Sequence, residues 1–286
     1  MLAVGASPHL RGQGTGQAYG GAPVALPLVR ICRFGVGEGE VAFGVVEGEG
    51  DEEHVTAIKG HPFGPFELST ARFPMSKVRL LAPVIPSKVV AIGKNYAEHA
   101  REMGSEPPTE PVVFLKPSTS VVGPGDPIPY PALSHEVDHE AELAVVIGRL
   151  CRDVPLQRAM EVVLGCTAAN DVTARDLQRS DGQWTRAKGF DGFCPLGPWI
   201  VTDLDMSDLD VTCTVNGEVR QHASTADLLR GVPELISYVS AVMTLLPGDV
   251  ILTGTPAGVG PLEVGDEVSV TVEGVGTLTN PVVRRG

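Results

Sequence analysis

The sequence has no long apolar segment and no excess of basic residues, and both absences limit the possible partners. No apolar run reaches the roughly 20 residues that cross a bilayer, and the N-terminus lacks a basic region followed by an apolar stretch and a cleavage site. Lys and Arg total 22 against 35 Asp and Glu, so the formal charge is −13. Nucleic acids and anionic membranes favour basic surfaces. We therefore expect neither as a partner, and we expect a cytoplasmic protein.

Cysteines are few and scattered. There are five, an odd number, and none belongs to a CxxC pair: Cys32, Cys151, Cys166, Cys194 and Cys213. We therefore predict reduced, mostly buried thiols, and neither a disulfide framework nor a zinc site. Residues 12–16 and 254–260 are rich in Gly but lack the strand, glycine spacing and helix of a nucleotide-binding loop. No nucleotide cofactor is expected.

Turn formers and β-branched residues favour a mainly β protein. The 34 Gly and 24 Pro, together with many Val and Thr, indicate short strands joined by tight turns. We predict an α+β fold in which strands dominate. Residues 1–28 show no hydrophobic periodicity, so a flexible tail is expected there. Residues 29–85 open with a β-hairpin pattern and are predicted to form a small N-terminal domain, and residues 86–286 the main domain.

Three longer segments of the main domain are predicted to be helices. One covers residues 95–103, after the apolar strand pattern at 88–93, because neither Pro nor Gly interrupts it. A second is expected between Asp153, which lies two residues before Pro155, and Gly165. A third follows Pro233, because its apolar positions share one helical face. These positions are Leu235, Ile236, Val239, Val242, Met243 and Leu246.

Two acidic residues open a strongly apolar strand pattern. Glu140 and Glu142 are two residues apart, so their side chains point to the same side of a strand. Two carboxylates that converge beside apolar residues repel each other unless a cation joins them. An isolated pair of this kind is more often a solvated strand face, and the pair alone is therefore weak evidence for a site.

A third acidic residue strengthens the case for a cation site. Asp171 directly follows the next apolar segment, residues 162–169. Three carboxylates suit Mg²⁺, Mn²⁺ or Ca²⁺, and no neighbouring cluster of Cys or His suggests zinc. We therefore predict a site for Mg²⁺ or Mn²⁺, which Ca²⁺ could occupy in a crystal.

For other polar residues, the sequence allows a purely structural role as well as a catalytic or binding one. His99 and Glu102 share a face of the first predicted helix, where a hydrogen bond would raise the basicity of the imidazole, although a single helical His is more often exposed or structural. Arg175 would lie near Asp171 in a coiled segment and could bind a substrate carboxylate. The alternative for Arg175 is a salt bridge with Asp176.

Six ordered motifs resemble the fumarylacetoacetate hydrolase superfamily. They lie between residues 89 and 283 and are Asn95-Tyr96-Ala97-Glu98-His99, Phe114-Leu115-Lys116-Pro117, His139-Glu140-Ala141-Glu142-Leu143, Asp171-Val172-Thr173-Ala174-Arg175-Asp176, Lys188-Gly189-Phe190-Asp191 and Leu252-Thr253-Gly254-Thr255-Pro256. Each motif is modest, but six in this order are specific. The chain most resembles the bacterial branch of fumarylacetoacetate hydrolase domain proteins and 2-hydroxyhepta-2,4-diene-1,7-dioate isomerases.

The resemblance implies a catalytic domain of mixed β-roll or sandwich type, usually in a homodimer. The metal ligands would be Glu140, Glu142 and Asp171, which agrees with the reading from the residues. Lys188 would be an active-site lysine rather than a surface one, and His99 with Glu102 would activate water from a mobile helix. Substrate binding would fall to Arg175, Gln178, Gly254 and Thr255, although Thr255 could be only a turn residue.

The resemblance also implies a reaction class. We predict cleavage or decarboxylation of a small 2-oxo acid through a metal-bound enolate, as in acylpyruvate and fumarylpyruvate hydrolases or oxaloacetate decarboxylases. Hydrolytic C–C cleavage or decarboxylation is favoured over isomerisation because the His99 and Glu102 pair is present. One alternative is a 2-hydroxyhepta-2,4-diene-1,7-dioate isomerase of aromatic catabolism, and another is an inactive metal-binding homologue.

Overall fold

Strands dominate the protein, which confirms the predicted fold class. The computed structural model describes residues 28–37 and 39–285. The predicted tail, residues 1–28, therefore lies outside the described residues apart from Leu28. In chain order the strands are β1 (Arg30–Val36), β2 (Glu40–Glu47), β3 (His54–Gly60), β4 (Phe66–Pro74), β5 (Arg79–Leu81), β6 (Val89–Gly93), β7 (Val112–Lys116), β8 (Val121–Val122), β9 (Ile128–Tyr130), β10 (Val137–His139), β11 (Ala141–Ile147), β12 (Val163–Asn170), β13 (Thr173–Ala174), β14 (Cys194–Val201), β15 (Asp210–Val215), β16 (Glu218–Ser224), β17 (Val250–Leu252), β18 (Gly260–Pro261), β19 (Glu267–Val272) and β20 (Gly276–Arg284).

The helices are short. The α-helices are α1 (Ala97–Glu102), α2 (Arg175–Asp181), α3 (Thr185–Lys188) and α4 (Val232–Val242). Single 3-10 helices cover Gly50–Glu52, Met75–Lys77, Ser118–Ser120, Leu156–Val162 and Thr225–Asp227. In the described part of the chain, no helix is long and apolar enough to cross a membrane.

The strands form three sheets. The largest has twelve strands, with the order β4-β3-β2-β1-β14-β12-β11-β17-β6-β7, and β5 and β8 pair with β1 and β14 at its side. A five-stranded sheet has the order β16-β15-β19-β20-β9, and a three-stranded sheet joins β13, β10 and β18. Most neighbouring strands are antiparallel, but β17 runs parallel to β6. The large and the five-stranded sheets pack face to face, because β11 contacts β15 and β19, and β12 contacts β19.

Strand β11 lies between two cores and is buried on both faces. Leu143 and Val145 belong to the core shared with the valines of β15 and β19. Ala144 and Val146 point the other way, into a second core with β6, β14 and β17. Because alternate residues share a face, Glu142 lies on the same side of β11 as Ala144. The strand therefore holds this carboxylate in rigid, water-poor surroundings.

The N-terminal strands have a small core of their own. The predicted hairpin is confirmed as the antiparallel pair β1 and β2. Cys32, Phe34, Val46 and Val55 are buried together between β1 and its neighbours. Strand β1 also pairs with β14, so the large sheet runs from this part into the rest of the protein. The boundary predicted at residue 85 falls in the segment between β5 and β6.

Two of the predicted helices are shorter than expected, and one of them is a 3-10 helix. The segment between Asp153 and Gly165 contains a 3-10 helix, Leu156–Val162, and then enters β12 at once. Gly165 is part of that strand, and a Cβ atom there would lie 2.2 Å from the carbonyl oxygen of Val201, so glycine permits close approach of β12 and β14 rather than ending a helix.

The apolar face predicted after Pro233 also extends too far. Leu235, Ile236 and Val239 are buried as expected, but α4 ends at Val242, which is 63% exposed. Met243 already has extended backbone torsions, with φ −148° and ψ 148°. The helix therefore stops before Leu246, which is also exposed.

Replacing Gly165 by Ala is expected to destabilise the fold, because the new methyl group would push apart two strand backbones. Overpacking of this kind costs about 1–3 kcal/mol, measurable by urea or thermal unfolding. Gly64→Ala is the control, since its Cβ atom would approach nothing more closely than 3.9 Å. Equal stability of the two variants would contradict the proposed close approach.

Candidate active site

Three buried carboxylates converge where β11 and β12 meet. The antiparallel pairing puts Ala141 opposite Asn170, so Glu140 and Asp171, the residues flanking this pair, are adjacent. The backbone N–H of Asp171 donates a 2.8 Å hydrogen bond to the carbonyl of Glu140. One carboxylate oxygen each from Glu140, Glu142 and Asp171 lies within 4.8 Å of the others. The structure thus brings together the three ligands predicted for the metal.

Lys188 bridges two of these carboxylates. It ends α3, is buried, and its Nζ donates 2.7 Å hydrogen bonds to Glu140 Oε2 and to Asp171 Oδ2. Its ammonium also lies 5.1 Å from the centre of the Phe114 ring. Burial opposes its charge, but Asp171 and Glu140 outweigh that effect and raise the pKa of Lys188 above its ordinary value. The alternative of a surface ammonium is therefore wrong.

Arg175 neutralises a second part of the cluster. Its Nη2 donates to Glu140 Oε1 at 2.7 Å, its Nε to Asp138 Oδ2 at 2.9 Å, and its Nη1 to Gln178 Oε1 at 2.7 Å. The alternative salt bridge between Arg175 and Asp176 is wrong, because adjacent residues on α2 point in different directions. The Asp176 carboxylate instead accepts hydrogen bonds from Ser134 and the backbone of His135.

The carboxylates differ in how they are neutralised. Burial alone would raise the pKa of Glu140, but Lys188 and Arg175 hold that pKa well below its usual value. Burial raises the pKa of Glu142 well above its usual value, and the charges of Asp171 and Glu140 raise it further. The Lys188 charge offsets only part of this rise. Among the described residues, Glu140 and Asp171 form ion pairs with Lys or Arg, and Glu142 does not.

A divalent cation fits this site by the chemistry of its donors. The three groups are hard carboxylate oxygens, which suit Mg²⁺, Mn²⁺ or Ca²⁺. A cation near Glu142 would also supply the positive charge that this buried acid lacks. Glu140, Glu142 and Asp171 are thus the residues that could hold the ion.

The His99 and Glu102 pair forms on α1 as its spacing predicts. His99 Nδ1 lies 3.2 Å from Glu102 Oε2, and Glu102 Oε1 accepts a 3.0 Å hydrogen bond from the backbone N–H of Gly258. His99 is buried and lines a cavity of about 180 Å³. The other lining residues include all three acids, Arg175, Gln178, Lys188 and Thr255.

Gly254 contacts one of the acids directly, and Thr255 contacts the backbone between Glu140 and Glu142. The backbone N–H of Gly254 donates a 2.6 Å hydrogen bond to Glu142 Oε2. The Thr255 hydroxyl donates to the carbonyl of Ala141 at 2.9 Å and accepts from Gln221 Nε2 at 2.8 Å. The hydroxyl proton of Thr255 is therefore already committed within the protein.

Several residues that contact the proposed ligands were not predicted from the sequence to have a role in the site. Lys116 is fully buried, and its Nζ donates to Asp171 Oδ1 and, at 3.2 Å, to the carbonyl of Val172. Asn170 Oδ1 accepts a 2.9 Å hydrogen bond from the backbone of Glu140. Lys116 could have been found from its position at the end of an apolar strand pattern. Such a position predicts a buried ammonium, which needs an acidic partner.

Two family models match this chain, and several solved structures have a similar fold. The model described as fumarylacetoacetate (FAA) hydrolase C-terminal matches residues 88–283, and the model Rv2993c-like, N-terminal matches residues 29–83. The structure of 5-carboxymethyl-2-hydroxymuconate delta-isomerase from Mycobacterium smegmatis is 57% identical, with a TM-score of 0.84, and the match covers 90% of this chain and 100% of that one.

Two more distant matches carry different activities in their names. The mitochondrial oxaloacetate tautomerase FAHD2A of Bos taurus is 48% identical over 223 residues, which are 73% of this chain and 71% of the relative. The fumarylpyruvate hydrolase of Pseudomonas aeruginosa, solved with Mn²⁺ and pyruvate, is 36% identical with a TM-score of 0.67, and the match covers 72% of this chain and 92% of that one.

Glu142→Gln and Asp171→Asn are expected to differ in stability although both weaken metal binding. The first removes a buried acid that has no cation, so the metal-free protein should stay folded. The second leaves Lys116 and Lys188 without a partner at Asp171, which should cost about 3–5 kcal/mol. Calorimetric titration with Mn²⁺ and thermal unfolding without metal measure the two effects.

For both variants, the loss of Mn²⁺ affinity should exceed the roughly 10- to 100-fold that is typical of changes outside the ligand shell. Unchanged Mn²⁺ affinity in Glu142→Gln would remove this residue from the site.

Proposed function

The chain belongs to the fumarylacetoacetate hydrolase family, and from this premise we propose that it is a divalent-metal-dependent enzyme that interconverts the enol and keto forms of a small 2-oxo acid. One observation carries the proposal: His99, whose Nδ1 faces Glu102, lines the same small cavity as the three carboxylates and Lys188. A proton-transfer group and a cation site therefore face one bound molecule.

The metal is part of the proposal. Mg²⁺ or Mn²⁺ held by Glu140, Glu142 and Asp171 would supply a Lewis acid that polarises the 2-oxo group. The hard oxygen donors and the only partly compensated Glu142 support this choice. The Mn²⁺ in the Pseudomonas aeruginosa relative supports it independently.

His99 is proposed to move the proton. Its Nδ1 is held by Glu102, so Nε2 is the nitrogen left to take a proton from carbon and to return it. Glu102 is held in turn by the N–H of Gly258, which fixes the orientation of the imidazole. Lys188 keeps an ammonium beside the acids, where it would stabilise negative charge that develops on the substrate oxygen.

The cavity favours a small dicarboxylic substrate. Its volume of about 180 Å³ suits a molecule of a few carbon atoms. Arg179 and Lys94 add positive charge to the lining, although Arg179 is paired with Glu136. Among the described residues, no ion pair involves Lys94, whose φ of 57° is a left-handed value that is uncommon for a residue other than glycine. We propose that Lys94 receives the second carboxylate of a substrate such as oxaloacetate.

Proton transfer is preferred here to the cleavage or decarboxylation that we predicted from the sequence. The Mycobacterium smegmatis relative is named an isomerase and the Bos taurus relative a tautomerase, and both reactions need only proton transfer. Hydrolytic C–C cleavage remains the second candidate. The His99 and Glu102 pair favours it, because the same groups could activate water, and the Pseudomonas aeruginosa relative is named a hydrolase.

A direct comparison of reactions tests the proposal. The chelator-treated protein is supplied with Mn²⁺ or Mg²⁺ and assayed for ketonisation of enol-oxaloacetate, release of CO₂ from oxaloacetate and cleavage of acylpyruvates. We expect ketonisation to be the fastest and to disappear after chelation. Faster cleavage would establish the second candidate, and full activity after chelation would exclude the metal.

His99→Ala is expected to slow ketonisation by about 10²- to 10⁴-fold, the usual contribution of a general base. Mn²⁺ affinity should be unchanged, because His99 is not among the proposed ligands. Glu102→Gln should share much of the loss if the pair acts as one unit. Decarboxylation should largely survive, since it needs no such base. A parallel fall of both activities would instead assign His99 to substrate binding.

Lys94→Met is expected to lower kcat/KM for a dicarboxylic 2-oxo acid by about tenfold, the effect of losing one charged hydrogen bond. The value for a monocarboxylic 2-oxo acid should change little. Lys77→Met, at an exposed 3-10 helix, is the matched control. Equal losses of kcat/KM for both substrates would show that Lys94 does not bind the second carboxylate.

A further inference from the structure

Gln221 connects three segments of the candidate site from the opposite sheet. It lies on β16 and is 1% exposed. Its Oε1 is 3.0 Å from both the backbone N–H of Ala141 and His139 Nδ1. Its Nε2 donates 2.8 Å hydrogen bonds to Thr255 Oγ1 and to the carbonyl of Pro256. Two accepted and two donated bonds use the full capacity of the amide.

The orientation of this amide is fixed by its backbone partners. The N–H of Ala141 can only donate and the carbonyl of Pro256 can only accept, so exchanging the amide oxygen and nitrogen would break both bonds. It follows that His139 Nδ1 carries the hydrogen that Oε1 accepts. It also follows that Thr255 Oγ1 accepts from Gln221 and must direct its own proton elsewhere.

Three hydrogen bonds link Gln221, Ala141 and Thr255 in a closed ring beside the proposed metal ligands. Ala141 lies between Glu140 and Glu142, and its N–H is held by Gln221 while its carbonyl accepts the hydroxyl proton of Thr255. The residue before Thr255 donates its N–H to Glu142 Oε2. Gln221 therefore sets the distance between the strand that carries two acids and the turn that orients one of them.

We propose that Gln221 is a positioning residue of the metal site. The oxygen and the nitrogen of its amide each hold a different segment of the site. The oxygen holds the backbone between Glu140 and Glu142 and so keeps both carboxylates aimed at one point. The nitrogen holds the turn that carries Thr255 at the cavity wall. This inference rests on the proposed metal-dependent function, since it states how the fold keeps that site in shape.

Two substitutions separate the ends of the amide. Gln221→Met keeps the size of the side chain and removes all four hydrogen bonds, so Mn²⁺ affinity should fall by about 10- to 100-fold, as for other residues that orient metal ligands. Gln221→Glu keeps an oxygen acceptor for Ala141 and His139, but a buried, neutral carboxylic acid has one proton to donate in place of two, so at least one donated bond is lost. It should therefore keep most of the Mn²⁺ affinity and raise KM for oxaloacetate.

A buried amide far from the acids provides the matched control. Asn280 is 1% exposed and donates 2.8 Å hydrogen bonds to the carbonyls of Gly123 and Asp126. Asn280→Leu should lower the melting temperature much as Gln221→Met does, but leave Mn²⁺ affinity and KM at wild-type values. The contrast distinguishes positioning from a general loss of stability.

The experiment is a calorimetric titration of the full chain with Mn²⁺, combined with steady-state kinetics on oxaloacetate. Reduced Mn²⁺ affinity in Gln221→Met, with wild-type affinity in Asn280→Leu, supports the inference. Wild-type affinity in Gln221→Met, or an equal loss in Asn280→Leu, overturns it. If Gln221→Met does not fold, Gln221→Glu decides: a raised KM supports the role, and an unchanged KM overturns it. If the wild-type protein binds no Mn²⁺, the proposed function itself fails, and the inference fails with it.

Discussion

The bridge that Lys188 makes between Glu140 and Asp171 is the interaction on which the rest of the site depends. Removing a carboxylate from water costs several kcal/mol even in a relaxed protein, and that cost is offset only when partners are close and well oriented. Lys188 supplies such a partner to two acids at once, while Lys116 and Arg175 complete the neutralisation of Asp171 and Glu140. Glu142 shares the same pocket without a cation of its own, and this imbalance is the physical reason to expect a metal.

The fold places the proposed acid–base pair and the proposed metal ligands around one cavity. Strand β11 is buried on both faces, so the Glu142 carboxylate has little freedom to move. Asn95, just before α1, donates to the carbonyls of Arg230 and Thr253 and accepts from the N–H of Arg230. The helix that carries His99 is therefore anchored beside the turn that supports Glu142. Two segments distant in sequence thus keep a fixed geometry around one small cavity.

Local periodicity was sufficient to predict the parts of the site that lie within single elements. The alternation of a strand placed Glu140 and Glu142 on one face, and the spacing of a helix brought His99 to Glu102. Local periodicity could not predict contacts between elements that are distant in sequence. Lys116 reaches Asp171 from β7, and Gln221 reaches Ala141 from another sheet. The 3-10 helix at Leu156–Val162 was missed because its Pro and Asp signals also suit an α-helix. The resemblance to a known family supplied Lys188, whose position in a short Gly-containing segment has no periodicity.

The central claim is that Glu140, Glu142 and Asp171 together hold a divalent cation in the cavity that His99 faces. Anomalous diffraction from crystals soaked in Mn²⁺, recorded at wavelengths on either side of the manganese absorption edge, tests this claim most directly. The account predicts one strong manganese peak among the three carboxylates, with an oxygen of each as a ligand. A peak at another position, or none at saturating Mn²⁺, would contradict it.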